Sequence, residues 1–367
     1  MNRNINFVTN LVPNLNRGGW DGINHNILLQ LHERSNEITV STINPQVRRE
    51  ITFLFKLRKL LPICRPFILF SERRLTEISR QVEQVTSKDD IVIFFGATPW
   101  ALTEQNRYST YLDIHFLKYL EIYHSTEQFC RRDISRIVKA EKEFLEKATN
   151  IFWGSSWALR SAEKDLDLQL KHKSTIINTG GNIPIPIQTS YNPKEPYLLF
   201  VSHYFKEKGG PQVFECLQRI DKKIKLYIVG EKPPQQILKD PRVNYLGVIK
   251  KDTNTGIESL KKLYSNALCL IHPTKMDTMG AVIVEAGYHG CPTIAPDKFG
   301  IPDFIKHKQN GFLLDENWSI GELAQAIGFV SEAFSNIDAR RRISSDYKKE
   351  FSWSTVVDKI IEKINQV

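Results

Sequence analysis

The sequence predicts an α/β protein of two domains, and three observations carry that prediction. The chain has 367 residues, more than one ordinary hydrophobic core organises. Short apolar runs of strand length, such as Asp90–Ala97 (DIVIFFGA) and Tyr197–Ser202 (YLLFVS), alternate with stretches of helical period. Between the two halves lies a linker rich in proline, glycine and polar residues, running from Gly180 through Pro184 and Pro186 to Pro196.

In chain order, Ile5 to Leu11 reads as a buried strand. Pro13 to Gly22 follows as a loop carrying Gly18-Gly19, and Ile23, Ile27, Leu28 and Leu31 then mark a helix. The paired glycines let the backbone approach another group closely, although the G-x-G-x-x-G dinucleotide spacing is missing. Glu141, Phe144, Leu145 and Ala148 give a second helical period, leading to a strand at Asn150–Trp153 and a Ser-Ser-Trp-Ala turn into a helix. Thr175–Gly181 (TIINTGG) is the last strand of the first half. The second half opens with Tyr197–Ser202, and Val213–Ile220 is its first helix. Two short strands, Lys225–Gly230 and Val243–Val248, come next, then a helix at Leu260–Ala267 and a strand at Leu268–His272. Parallel strands carry ligand-binding loops at their carboxyl ends, which makes Gly230, Glu231, Ile249 and Lys250 candidates for a ligand-binding rim. The last apolar positions, Val356, Val357, Ile360, Ile361 and Ile364, form a terminal amphipathic helix.

Composition bounds the function. A hydrophobic content of 41% and a charged content of 25% suit a soluble globular protein. No apolar run is long enough to span a bilayer, and the first residues lack the apolar stretch of a secretion signal. Cys64, Cys130, Cys216, Cys269 and Cys291 show no C-x-x-C spacing, which argues against zinc and against a disulfide framework. A cytoplasmic enzyme is the expected setting. The net charge of +9 suits nucleic acid, anionic lipid or a phosphorylated substrate equally. Nucleic acid is disfavoured, because no recognised nucleic-acid-binding module is present. From Arg48 to Arg80 nine Lys/Arg face three Glu, interleaved with Ile51, Phe53, Leu54, Phe55, Leu57, Leu60 and Leu61. A basic amphipathic helix here could dock peripherally on the inner face of an anionic membrane. A core-facing helix with a solvated basic edge explains the same pattern at least as well.

The most informative stretch is His272–Leu314. Asp277 and Glu285 bracket the run Thr-Met-Gly-Ala-Val-Ile-Val, which reads as a loop, a glycine at the turn and the opening of a helix. The first N–H groups of such a helix, at Gly280, Ala281 and Val282, have no intrahelical partner and suit an anion. Glu285, one turn further on, suits neutral hydroxyls such as a ribose diol, so the pair fits a nucleotide diphosphate.

The same stretch resembles the second-domain signature of the retaining nucleotide-sugar glycosyltransferases of family 4, which have the GT-B fold. The matching letters are Asp277, Gly280, Glu285, Ala286, Gly290, Pro292, Gly300 and the Asn310-Gly311 turn. The resemblance implies two Rossmann-like, doubly wound parallel-sheet domains facing across a cleft. It places an acceptor-binding domain at residues 1–186, a nucleotide-sugar-binding domain at 187–349, and a terminal helix at 350–367 packing back on the first. It also assigns Gly18 and Gly19 to the donor phosphates and Asp113, in Tyr111-Leu-Asp-Ile-His-Phe116, to the position over the donor sugar; His115 and His124 compete for that place. Lys208 matches the diphosphate-binding lysine. Two departures stand out: Asp277 replaces the usual Glu, and His203 stands where Arg is expected, so Lys206 is a candidate to help hold phosphate. Asp277 would hold donor-sugar hydroxyls and Glu285 the ribose.

The implied co-substrate is a nucleotide-diphosphate sugar of UDP or GDP type, with no cofactor and no metal, since no Asp-x-Asp element occupies a suitable loop. A glycan or lipid-linked acceptor, as in polysaccharide biosynthesis, is expected. The rival reading is a nucleotide-sugar-binding scaffold that has lost turnover, motivated by Asp277 and His203; epimerases of the same fold are a further alternative.

Overall fold

The computed structural model describes residues 3–11, 19–34, 38–45, 67, 70–96, 107–124 and 126–366. It divides into two compact units, one of residues 1–177 with 357–367 and the other of residues 178–356.

The first unit carries six parallel strands, β1 (Arg3–Val8), β2 (Ile38–Ile43), β3 (Ile91–Phe95), β4 (Tyr108–Leu112), β5 (Asn150–Trp153) and β6 (Ser174–Ile176), in the order β2-β1-β3-β4-β5-β6. Of its central strands β3 (IVIFF) is apolar throughout and β4 (YSTYL) is buried along its whole length, as expected where helices cover both faces of a parallel sheet. Its described helices are α1 (Gly19–His32), α2 (Glu72–Val85), α3 (Phe116–Tyr123), α4 (Arg131–Lys147) and α5 (Ser156–Leu166). Helix α1 begins at Gly19, so the loop expected through Gly22 is shorter than the sequence suggests; Trp20 and Asp21 already belong to its first turn.

In α4 the positions Ile137, Glu141, Phe144 and Leu145 are buried. Three are apolar and one is a carboxyl. Glu141 is fully enclosed, and its two carboxylate oxygens accept the Phe116 N–H at 2.9 and 3.1 Å. That N–H opens α3, so a buried acid satisfies an otherwise orphaned helix donor. Burial pushes the Glu141 carboxyl up to about 8, against the lowering effect of the Phe116 N–H.

The second unit carries β7 (Tyr197–Ser202), β8 (Lys225–Gly230), β9 (Val243–Tyr245), β10 (Cys269–Ile271), β11 (Thr293–Pro296) and β12 (Gly311–Leu314), all parallel, in the order β12-β11-β10-β7-β8-β9. Its helices are α6 (Gly210–Leu217), α7 (Gln235–Leu238), α8 (Asn254–Asn266), α9 (Ala281–Tyr288), α10 (Ile320–Ala333), α11 (Ile337–Phe351) and the start of α12 (Trp353–Asn365), whose later residues group with the first unit. Strand order reverses direction at β7 and β10, and loops leaving the carboxyl ends of such neighbouring strands are where ligands bind. The stretch after β6 is anchored within this unit: the Gly181 N–H donates to Tyr288 Oη at 3.0 Å, and Trp353 Nε1–H donates to the Gly181 carbonyl at 2.8 Å.

Most of the basic stretch from Arg48 lies outside the described residues; its last part is helix α2, whose Ile78 and Val82 face the core. Among the described residues no helix is long and apolar enough to cross a membrane.

The raised Glu141 carboxyl has a definite sign. Between about 4.5 and about 8 the folded chain holds a proton that the unfolded chain releases, so stability falls as pH rises through that window and levels off above it. Glu141→Gln is expected to flatten this slope in urea titrations repeated at several pH values, and an unchanged slope would assign it elsewhere.

Candidate functional site in the second unit

Lys208 lies in the loop between β7 and α6, and Asp277 in the loop between β10 and α9. Lys208 Nζ meets Asp277 Oδ2 at 2.8 Å and the Met276 carbonyl at 2.6 Å. The two loops approach because Gly209 has no side chain: a Cβ there would lie 2.4 Å from the Pro273 carbonyl oxygen, and the residue sits at φ +85°. The Lys275 N–H, donated to the Glu207 carbonyl at 3.1 Å, fastens them together.

Asp277 organises its own loop. Oδ1 accepts the Gly280 N–H at 3.0 Å, while Oδ2 accepts from Lys208 and lies 2.8 Å from His272 Nε2. Burial alone would raise the Asp277 carboxyl. The positive charge of Lys208 and the His272 hydrogen bond outweigh it and hold the carboxyl well below the usual carboxylate range. His272, 2% exposed, is pushed down by burial against the raising influence of Asp277. With Asp277 ionised, Nε2 carries the hydrogen and donates, which leaves Nδ1 without a partner among the described residues.

The expected free amides are therefore not all free. Gly280 is the N-cap of α9 at φ +82°, and its N–H belongs to Asp277, since a carboxylate three residues upstream reaches back over the turn. Ala281 and Val282 carry the remaining first-turn N–H groups; both are partly exposed and have no acceptor among the described hydrogen bonds. They supply the amino end of α9 with its donors.

Glu285 is expected from the sequence to hold a ribose. It is 1% exposed, and its carboxylate is already engaged: Oε1 accepts the Asn182 N–H at 3.0 Å and pairs with the Lys251 ammonium, and Oε2 accepts from Tyr264 Oη at 3.0 Å. The Tyr264 hydroxyl is pushed far up, first by burial and then by the charge of Glu285. Lys251 is the residue the sequence reading missed. Lys250, the neighbour named there, is exposed.

The other candidates lie as follows. His203 is exposed, directly after β7, and Lys206 is exposed in the same loop. Gly230 ends β8 at φ +113°, where its N–H donates to the Gly247 carbonyl at 2.8 Å. In the first unit, Gly18 falls outside the described residues and Gly19 is exposed at φ +51°. Asp113 follows β4 directly, at a strand's carboxyl end, and is partly buried. Its two rivals have structural partners. His115 is fully buried against Ser161 Oγ at 2.9 Å and Asp165 Oδ2 at 3.2 Å, and burial pushes it down to about 4. The exposed His124 lies 3.1 Å from Tyr119 Oη and packs edge-on against Phe67.

Residues 185–349 match the glycosyl transferases group 1 family. Over 270 residues, 68% of this chain, the sequence is 24% identical to an uncharacterized glycosyltransferase of Methanocaldococcus jannaschii, and the match spans 62% of that relative, less than two thirds of its length. The fold is shared with sucrose-phosphate synthase from Thermosynechococcus elongatus, at TM-score 0.70 and 15% identity over 99% of this chain and 98% of that one. It is also shared with HepE from Anabaena, solved in complex with UDP and glucose, at TM-score 0.63 and 16% identity over 100% of both chains. The two six-stranded parallel sheets are those of the GT-B fold.

The enclosure of Glu285 predicts what its removal does. Glu285→Ala removes the acceptor shared by a partly buried ammonium, a buried hydroxyl and a buried amide, and is expected to destabilise the second unit by about 3–5 kcal/mol. Chemical denaturation checks this, and the double variant Lys251→Met/Glu285→Leu is expected to be more stable than Glu285→Ala. Equal stability of Glu285→Ala and wild type would show that the carboxylate is not the buried hub described above.

Proposed function

We propose that this chain is a retaining glycosyltransferase of hexosyltransferase type that moves a sugar from a nucleotide-diphosphate sugar, UDP or GDP linked, to a hydroxyl of a glycan or lipid-linked acceptor. The observation that carries the reading is the junction of Lys208, Asp277 and the amino end of α9 at the carboxyl ends of β7 and β10. The family of residues 185–349 supports it, and so does the UDP and glucose held by the similarly folded HepE.

In the proposed reaction the bond between the anomeric carbon and the diphosphate oxygen breaks, and the diphosphate leaves with the electron pair. Lys208 and the Ala281 and Val282 N–H groups stabilise that developing charge. The acceptor oxygen bonds to the same carbon from the face the diphosphate leaves, and its proton passes to the departing phosphate. Asp277 orients donor hydroxyls, and Asp113 orients or polarises from the first unit. His203, Gly230, Lys250, Gly18 and Gly19 remain assigned to the donor, and Glu285 to the ribose once a diol displaces Lys251. No metal or cofactor takes part in the proposed step. A cytoplasmic enzyme, with peripheral contact to an anionic membrane through the basic stretch, completes the proposal.

A binding scaffold without turnover is favoured by one observation: Lys208 is already neutralised by Asp277. Incubation with UDP-, GDP- and ADP-sugars, read by mass spectrometry, separates the two. Slow donor hydrolysis, reduced at least about tenfold by Lys208→Ala, is expected. Nucleotide binding without any hydrolysis or transfer would establish the scaffold.

A further inference from the structure

Lys208 cannot bind a diphosphate fully while it serves as partner to Asp277. Were it to turn toward phosphate with nothing in its place, a largely buried carboxylate would lose its charged partner. His272 removes that difficulty. Its Nε2 stands 2.8 Å from the same oxygen, Oδ2, that Lys208 contacts. Its backbone is fixed at the end of β10 by the His272 N–H donated to the Ile294 carbonyl at 2.8 Å and by the Thr274 N–H donated to the His272 carbonyl at 2.7 Å. Enclosure keeps the ring neutral, so it supplies a hydrogen bond to Asp277 without adding a second charge to the cluster. Its unpartnered Nδ1 is a cost borne by the fold.

We propose that His272 is a positioning residue for donor binding, holding Asp277 Oδ2 through Nε2–H so that Lys208 can shift from Asp277 to an incoming diphosphate while the carboxylate stays in place. The inference rests on the glycosyl-transfer reading for its purpose, but its physical content is an effect on anion affinity. A carboxylate with one methylene fewer than glutamate lies closer to its backbone, within reach of the strand-end imidazole. His272 therefore acts through Asp277 and Lys208 and touches no substrate atom.

The test uses the full chain and inorganic pyrophosphate as probe, read by calorimetry separately from turnover. His272→Phe keeps a ring of similar bulk and removes the donor; pyrophosphate affinity is expected to fall about tenfold or more, with KM for the nucleotide sugar rising in parallel. His272→Gln places an N–H near the Nε2 position and is expected to restore most of the affinity. In an Asp277→Asn background no carboxylate needs holding, so His272→Phe is expected to change affinity less than about twofold there. Circular dichroism melts confirm that each variant is folded. The proposal is overturned if pyrophosphate fails to bind the wild type, if His272→Phe binds it normally, or if the loss persists undiminished beside Asp277→Asn. Pyrophosphate coupling of this pattern without turnover of any nucleotide sugar would uphold the role of His272 and reject the enzymatic reading instead.

Discussion

One carboxylate holds the second unit's loop system together. Asp277 takes the ammonium of Lys208 from one loop, the imidazole of His272 from a strand end, and the N–H of Gly280 from the helix cap that follows it. Each contact is charge-assisted, and each comes from a different local element. The turn into α9 and the position of the Lys208 side chain satisfy those lone pairs, while the missing side chain of Gly209 lets its loop come close to Pro273. An asparagine of the same shape would keep the turn but supply no charge to hold the ammonium.

The two acids of the Asp-x7-Glu element are alike in sequence and unlike in surroundings. Asp277 precedes α9 in a loop and keeps some exposure, whereas Glu285 lies on the helix face turned inward, against the stretch that follows β6 and against α8. An ion pair in that setting contributes less to net stability than its geometry suggests, because both groups lost water to form it. It does fix where the Asn182 backbone and the loop bearing Lys251 lie. A ribose diol reaching Glu285 would exchange neutral hydroxyls for an ammonium and release Lys251 from that carboxylate.

What the sequence made legible follows from where information is local. Strands β5, β7 and β8 were readable to the residue because each is a short apolar run with a sharp polar or glycine boundary. Strand β2, with the pattern ITVSTI, and β12, with only GFLL, carry too little contrast and are strands because neighbours pair with them. Helix α8 begins at Asn254, well before the apolar positions start, because Thr253 caps it by accepting the Gly256 N–H, a signal present in the sequence and passed over. The pairing of Lys208 with Asp277 and of Lys251 with Glu285 was not legible, since nothing in linear spacing says which cation meets which acid across 69 and 34 residues. His272 offered a weak signal: a histidine at the end of a parallel strand, five residues before an acid.

Charge within this site also explains why the chain's overall basicity says little about its ligand. The net +9 is a sum over the whole sequence, whereas in the cluster itself one ammonium is matched by one carboxylate and the imidazole is neutral. Two partly exposed amides at the start of α9 are dipoles, not charges, and act only over the first turn. That cluster by itself has little long-range pull on an anion, so any such pull comes from exposed cations beside it such as Lys206. In the proposed reaction, selection of a diphosphate would come at contact range, where the ammonium can be shared between carboxylate and phosphate and where the amides at the start of α9 find an acceptor. Contact of that kind selects by shape and by number of acceptor oxygens rather than by net charge, which is the discrimination the proposed donor binding requires.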